Sequence, residues 1–514
     1  MKRLLVIPLC LLTLWGNAQM NPQSKKITEK YFPDPSVEIS TPAFFKQKGF
    51  TSYDEMIAFI NTQQSNHSDL VSISYIGASQ KGKQIPLVHI EKKNCFANKV
   101  KVWFQACLHG DEPASTEGML YLLDKLLNDP VYSYLLDRLE IVIVPMANID
   151  GNQKMQRVAA NGLDLNRDQT KLMAPESRVL KKAFSDYNAE VAVDFHEYQP
   201  YRRDYLELGT FGVVPHYDVM MMYSCNLNVP QSLRDYTKTK FVDNATRVLD
   251  ENNMTHHEYF TSEKVNGEIQ LRQGSSSARS SATSYALANS ISSLIEIRGG
   301  DLGRTSLKRR VYSIFLVATS YLQTAYDNVD EVKTVLKNAQ ENPNPEVVVK
   351  TSTPVSKQKI TFIDLATNDL IDLEVKLSDA CTAKPTLTRT RPFAYILLPN
   401  QGELAEKLKI LGLQVNQLDK EVEFEVENYV VTEFEKDATE TEGTFMQKVK
   451  TITNRMLKRF PEGSYIVYLN QPKSNLAVEV LEPEAPNSFV SFSVLKTGLN
   501  QELPIYRYLE KTPL

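Results

Sequence analysis

The sequence predicts an α/β protein with a mixed, largely parallel central sheet flanked by helices, followed by a C-terminal accessory region of α/β or mostly β character. Three observations carry this expectation. Short, continuous apolar runs at 100–107 (VKVWFQAC), 139–145 (LEIVIVP), 191–196 (VAVDFH) and 293–297 (SLIEI) read as strands buried on both faces. Segments with apolar residues at helical spacing alternate with them, at 115–127 and finally at 307–326. After a polar, Pro/Asn-rich passage near 342–345 the chain becomes β-rich, with no cluster at metal or nucleophile spacing.

Taken in order, the chain opens with MKRLLVIPLCLLTLWGNAQ, in which a basic start, an apolar centre and a small-polar exit make a signal peptide over 1–19. Cys10 lies inside the apolar centre, the wrong place for a lipid-modified cysteine. An amphipathic helix (SYDEMIAFINTQQ) and two alternating strands (SISYIGAS, QIPLVHIEK) around Gly82 begin the folded part. The Ser-rich stretch 274–285 reads as a mobile loop near the mouth of the site. Beyond the polar passage, KITFIDLA, FAYILLP, SYIVYLN and SFVSFSVL read as strands and 404–413 as a helix ended near Gly412. The expected division is a signal peptide at 1–19, a catalytic domain at 20–330, a linker at 331–350 and an accessory domain at 351–514.

A length of 514 residues is too great for one ordinary core, and 42% hydrophobic with 23% charged residues is the composition of a folded protein. A formal charge of −4 gives no reason to expect nucleic acid as a partner. No stretch after the leader reaches the roughly 20 apolar residues of a membrane span. The expected location is therefore outside the cytoplasm, secreted or periplasmic. Cleavage of the leader leaves Cys95, Cys107, Cys225 and Cys381, enough for one or two disulfides whose pairing stays open.

The chemistry concentrates at strand ends. The run ACLHGDEPAS brings His109 and Glu112 into a loop between a strand and a helix, and VAVDFHEY brings His196 to the end of another strand. In α/β sheets such ends converge on a crevice, and two histidines with one glutamate make a catalytic zinc set with a position left open. Between them lies MANIDGNQKMQRVAANGLDLNRD, whose Arg157, Asn166 and Arg167 supply donors for a carboxylate or an oxyanion. The adjacent His256 and His257 read as surface residues.

In sequence order, IGASQKGKQIPLVHI, HGDE, NIDG, R-x-x-x-N-G-x-D-L-N-R, DFH and IEIRGG together make the chain resemble the zinc carboxypeptidases of the A and B type over about 51–327. The resemblance implies one zinc per chain held by His109, Glu112 and His196, with Asp164 orienting the first histidine. It further implies Glu296 as general base, Arg157 as the residue that polarises the scissile carbonyl, and Asn166 with Arg167 as the clamp on a peptide's terminal carboxylate. The substrate so implied is a peptide, and the alternatives are an amide deacylase on the same fold or a non-catalytic peptide binder. Three departures stand out: Ile149 replaces a usual proline, Glu197 places a carboxylate next to the third ligand, and no tyrosine sits at the expected distance before Glu296. Tyr285 is too near and Tyr259 too far. Glu197 is expected to weaken the pull on water or to favour a basic substrate.

Overall fold

The apolar runs fold as strands Val100–Ala106, Leu139–Val144, Val191–Tyr198 and Ile291–Arg298, buried along nearly their whole lengths. They are the centre of an eight-stranded sheet ordered Val71–Ala78, Gln84–Ile90, Leu139–Val144, Val100–Ala106, Val191–Tyr198, Ile291–Arg298, Val219–Tyr223, His256–Glu258. The four central strands pair in parallel. The hairpin before them and the strand Val219–Tyr223 pair antiparallel. Parallel neighbours need crossovers, and the helices Pro113–Asn128 and Pro175–Tyr187 supply two of them. This computed structural model describes residues 23–93 and 95–511, so the leader expected at 1–19 lies outside the described residues.

Local sequence explains the entry into the sheet. Ser52 and Glu55 form a reciprocal capping box that starts the helix Tyr53–Asn66. Its buried side, Met56, Ile60 and Gln63, follows helical spacing.

A second, five-stranded sheet joins the two halves of the chain in the order Val213–Pro215, Val355–Asp364, Leu370–Asp379, Glu268–Gln273, Phe260–Val265. Cys225 and Cys381 form a disulfide across the same junction, while Cys95 and Cys107 are free. The rest of the C-terminal region builds a six-stranded sheet around Ala394–Leu397, Tyr465–Tyr468 and Ile505–Tyr508, with the long hairpin Val422–Lys436 and Gln447–Phe460 at one edge. It is mostly β, and one hydrophobic core takes in residues from Ile39 to Ile505. None of the helices formed by the described residues is long and apolar enough to cross a membrane.

The structure departs from the sequence reading in three places outside the site. Most of 331–350, expected as a linker, is a helix, Val329–Glu341, and a strand, Glu346–Ser352; only 342–345 is neither. The helix buries Val332, Leu336 and Ala339, an i, i+4, i+7 stripe hidden among polar neighbours. SFVSFSVL forms turns instead of a strand, because Ser488 and Ser491 bond to each other and to nearby backbone. The Ser-rich stretch is buried over 280–285, where it carries the start of the helix Ser281–Leu287, and Ser275, Ser277 and Ser280 line the cleft.

Candidate metal centre and substrate cleft

Strand register brings the site together. His196 and Glu296 are direct partners on adjacent parallel strands, so both reach the same end of the sheet on the same face. The neighbouring strand Val100–Ala106 ends one step away and leads into the loop bearing His109 and Glu112, the latter the N-cap of helix Pro113–Asn128. Gly110 makes this loop fit: a Cβ there would lie 2.1 Å from the backbone of Gly151. Only glycine lets HGDE rest on NIDG. Asn148 closes the join, accepting from the Gly151 N–H and donating to the carbonyls of Leu108 and Arg157.

His109 Nδ1 lies 2.7 Å from Glu112 Oε1, His196 Nδ1 lies 2.8 Å from Glu112 Oε2, and the two Nδ1 atoms are 3.1 Å apart. All three residues are buried. They are the one group of His, Cys, Asp and Glu among the described residues that could hold a metal ion, with ligand atoms within 4.8 Å of one another. The outer ring nitrogens are occupied: His109 Nε2 meets Asp164 at 3.1 Å, and His196 Nε2 meets Asp194 at 2.9 Å. Each carboxylate accepts a hydrogen bond from the Nε2–H and so leaves an Nδ1 lone pair facing inward. Two such lone pairs at close range repel, and a cation between them and Glu112 relieves the conflict, so the residues present fit zinc.

Asp194 was not singled out by sequence, although its position two residues before His196 on one strand puts both on the same face. Glu197, one residue after, points the other way. Its carboxylate accepts from Arg310 Nε at 2.7 Å and from the Ala114 N–H at 2.9 Å, at the start of helix Pro113–Asn128. Glu197, expected to weaken the pull on water or to favour a basic substrate, is instead taken up by a buried ion pair with Arg310.

Burial opposes charge on Glu112, but the two facing histidines outweigh it and hold the carboxyl well below its ordinary range. Glu296 goes the other way. Burial dominates, and although His196 counters it, Glu112 adds repulsion, leaving Glu296 raised to about 7. For Arg157, burial works against the charge, but Asp164 and Glu112 win and keep it protonated; its Nε donates to Asp164 at 2.9 Å. Asn166 is buried, 3.5 Å from His196 Nε2, and its Oδ1 accepts the Ser281 N–H. Arg167 donates to the Asn166 carbonyl.

His109, Arg157, Arg167, Tyr259, Arg279 and Glu296 line one cleft of about 690 Å³. The presence of Tyr259 corrects the sequence reading, in which it stood too far from Glu296. The hairpin Phe260–Val265/Glu268–Gln273 leaves the site to join the second sheet and returns, so that the Gly274 N–H donates to the Tyr259 carbonyl. Tyr285 packs on Phe184 in the core instead. Ile149 is buried under the site loop. His256 and His257 stand partly exposed on the edge strand, outside the ligand group.

The family model for zinc carboxypeptidases matches residues 56–329, and the chain belongs to that family; it is a zinc metallocarboxypeptidase. Carboxypeptidase 2 of Trichophyton rubrum is 28% identical over 444 residues, covering 84% of this chain and 81% of its own. Carboxypeptidase D of Mus musculus is 29% identical over 164 residues, covering 28% of this chain and 12% of its own. Among solved structures, a metallo-carboxypeptidase from Burkholderia cenocepacia is similar over 55% of this chain and 70% of its own, at 20% identity and a TM-score of 0.43.

Proposed function

We propose that the protein is exported and removes the C-terminal residue of peptides, with one zinc per chain held by His109, Glu112 and His196. The observation that carries this reading is the convergence, in one cleft, of the triad, Glu296 beside His196, and the Asn166–Arg167 pair. Zinc in such a site supplies a Lewis acid and lowers the pKa of water to about 7. Glu296 accepts the proton of the attacking water and passes it to the leaving amine. Arg157, braced by Asp164, donates to the carbonyl oxygen as charge develops on it. Asn166 and Arg167 hold the terminal carboxylate. Burial, with Glu296 nearby, raises the Tyr259 phenol to about 12, so it remains a donor at neutral pH over the bound substrate. The leader at 1–19 supports export. Residues 20–330 carry all of these groups, and 351–514 serve as the accessory part.

Peptides with free and amidated C-termini separate this reading from a general amidase. Leaving a charged clamp unpaired costs on the order of 2–5 kcal/mol, so amidation should lower kcat/KM about thirtyfold or more. Arg167→Ala should lose activity on the free acid and most of the preference. Equal cleavage of both peptides by the wild-type protein rejects the carboxypeptidase assignment of Arg167.

A further inference from the structure

Behind the cleft-lining Arg167 and Arg279 packs a hairpin from far along the chain. The hairpin Val422–Lys436/Gln447–Phe460 turns through a tip in which Thr441 and Thr444 bridge, and Glu442 there has a φ of +52°. The tip rests on the catalytic segment: a Cβ on Gly443 would come 2.6 Å from Leu163. The buried Lys171 donates to the Glu442 carbonyl at 2.6 Å and lies 3.5 Å from its carboxylate. Both carboxylate oxygens accept from Arg279 at 3.1 Å, and one lies 3.8 Å from Arg167 Nε.

Building on the reading of Arg167 above, we infer that the terminal carboxylate is read by two arginines, Arg167 and Arg279, and that Glu442 is the positioning residue that holds them convergent. Both arginines line the cleft and both are partly exposed, so each can meet a ligand. Two guanidinium groups on one wall repel, and a shared carboxylate behind them offsets that repulsion. Arg279 is tied to the clamp through its backbone as well: its carbonyl accepts the Gln169 N–H, while the Asn166 side chain accepts from Ser281, two residues on. The pairs with Arg167 and Arg279, about a third exposed on the arginine side, contribute little to stability. The effect of Glu442 therefore falls on geometry, where a displacement of about 1 Å can cost up to a hundredfold.

The test compares KM and kcat for free-acid and amidated peptides in the full-length zinc-loaded protein. Glu442→Gln should raise KM for the free acid about tenfold with kcat within about twofold, and leave KM for the amidated peptide unchanged. Glu442→Asp should recover part of the loss. In an Arg279→Gln background, itself raised in KM, Glu442→Gln should add less than it does alone, since only its longer contact with Arg167 remains. An unchanged free-acid KM in Glu442→Gln, or equal losses on both peptides, overturns the inference while leaving the assignment of Arg167 standing. A wild-type protein indifferent to amidation removes both. Should Glu442→Gln fail to fold, Arg279→Gln decides: normal KM and amide discrimination there also overturn it.

Discussion

The two ends of the cleft are built differently. At the metal end, His196 and Glu296 come from adjacent paired strands, and the outer nitrogen of each histidine of the candidate triad is held by a carboxylate, Asp164 or Asp194. At the carboxylate end, Arg167 closes the short 3-10 turn Leu165–Arg167, Arg279 sits on a loop, and their shared partner Glu442 arrives from a distant hairpin. His196 and Glu296 are placed on the sheet itself, with His109 and Glu112 in the loop that leaves its next strand. Recognition is placed where loops and remote elements can be altered without disturbing it.

That contrast can be broken most sharply at the metal end. His196→Ala should lose zinc and activity together, measured by metal analysis and peptide hydrolysis; full zinc in the purified variant removes His196 from the ligand set. Glu296→Gln should retain zinc and a normal melting temperature while turnover falls about a hundredfold or more, whereas near-normal rates would place the base elsewhere. Asp194→Asn should weaken zinc affinity by about 10- to 100-fold in a chelator competition, because the amide can present its N–H to the ring and disturb the tautomer. An unaltered affinity would mean that strand packing alone orients His196.

A separate pH effect is expected away from the cleft, under the Ser-rich helix. Lys181 Nζ donates to Ser284 in the Ser-rich helix, and burial, with Lys473 adding to it, lowers the amine from 10.5 to about 7. Between those values the unfolded chain binds the proton and the folded one does not, so stability should rise with pH across the window by up to about 1.4 kcal/mol per unit. Thermal melts from pH 7 to 10 should show this slope in the wild type and a flatter profile in Lys181→Met. Parallel slopes would mean that Lys181 reaches water in the folded protein.

Sequence made the metal end legible because its residues recur as short motifs at strand ends, and strands announce themselves by apolar continuity. Asp194 was missed for a local reason: it sits in an otherwise apolar run and looks like part of the strand. Glu197 misled for the converse reason, since proximity along a strand places alternate residues on opposite faces. Tyr259 was hidden by a hairpin that lengthens the chain without lengthening the distance. Glu442 carries no local signal, and its role arises only from the packing of the hairpin tip on Leu163. The Ser-rich stretch and SFVSFSVL show a related ambiguity, for serine serves a turn, a helix start or a solvated loop according to which backbone groups lie nearby.

The mixed sheet that joins the two halves has a bearing on synthesis. The strand Glu268–Gln273 hydrogen-bonds in parallel with Leu370–Asp379, a partner that leaves the ribosome only after His109, Glu112, His196 and Glu296 have been made. Until then one edge of the nascent half stays open to wrong partners. The hairpin tip follows later still. The brace behind the cleft-lining arginines therefore arrives when the chain is nearly complete, and a fragment ending after the matched family region would carry His109, Glu112 and His196 yet expose an unpaired edge.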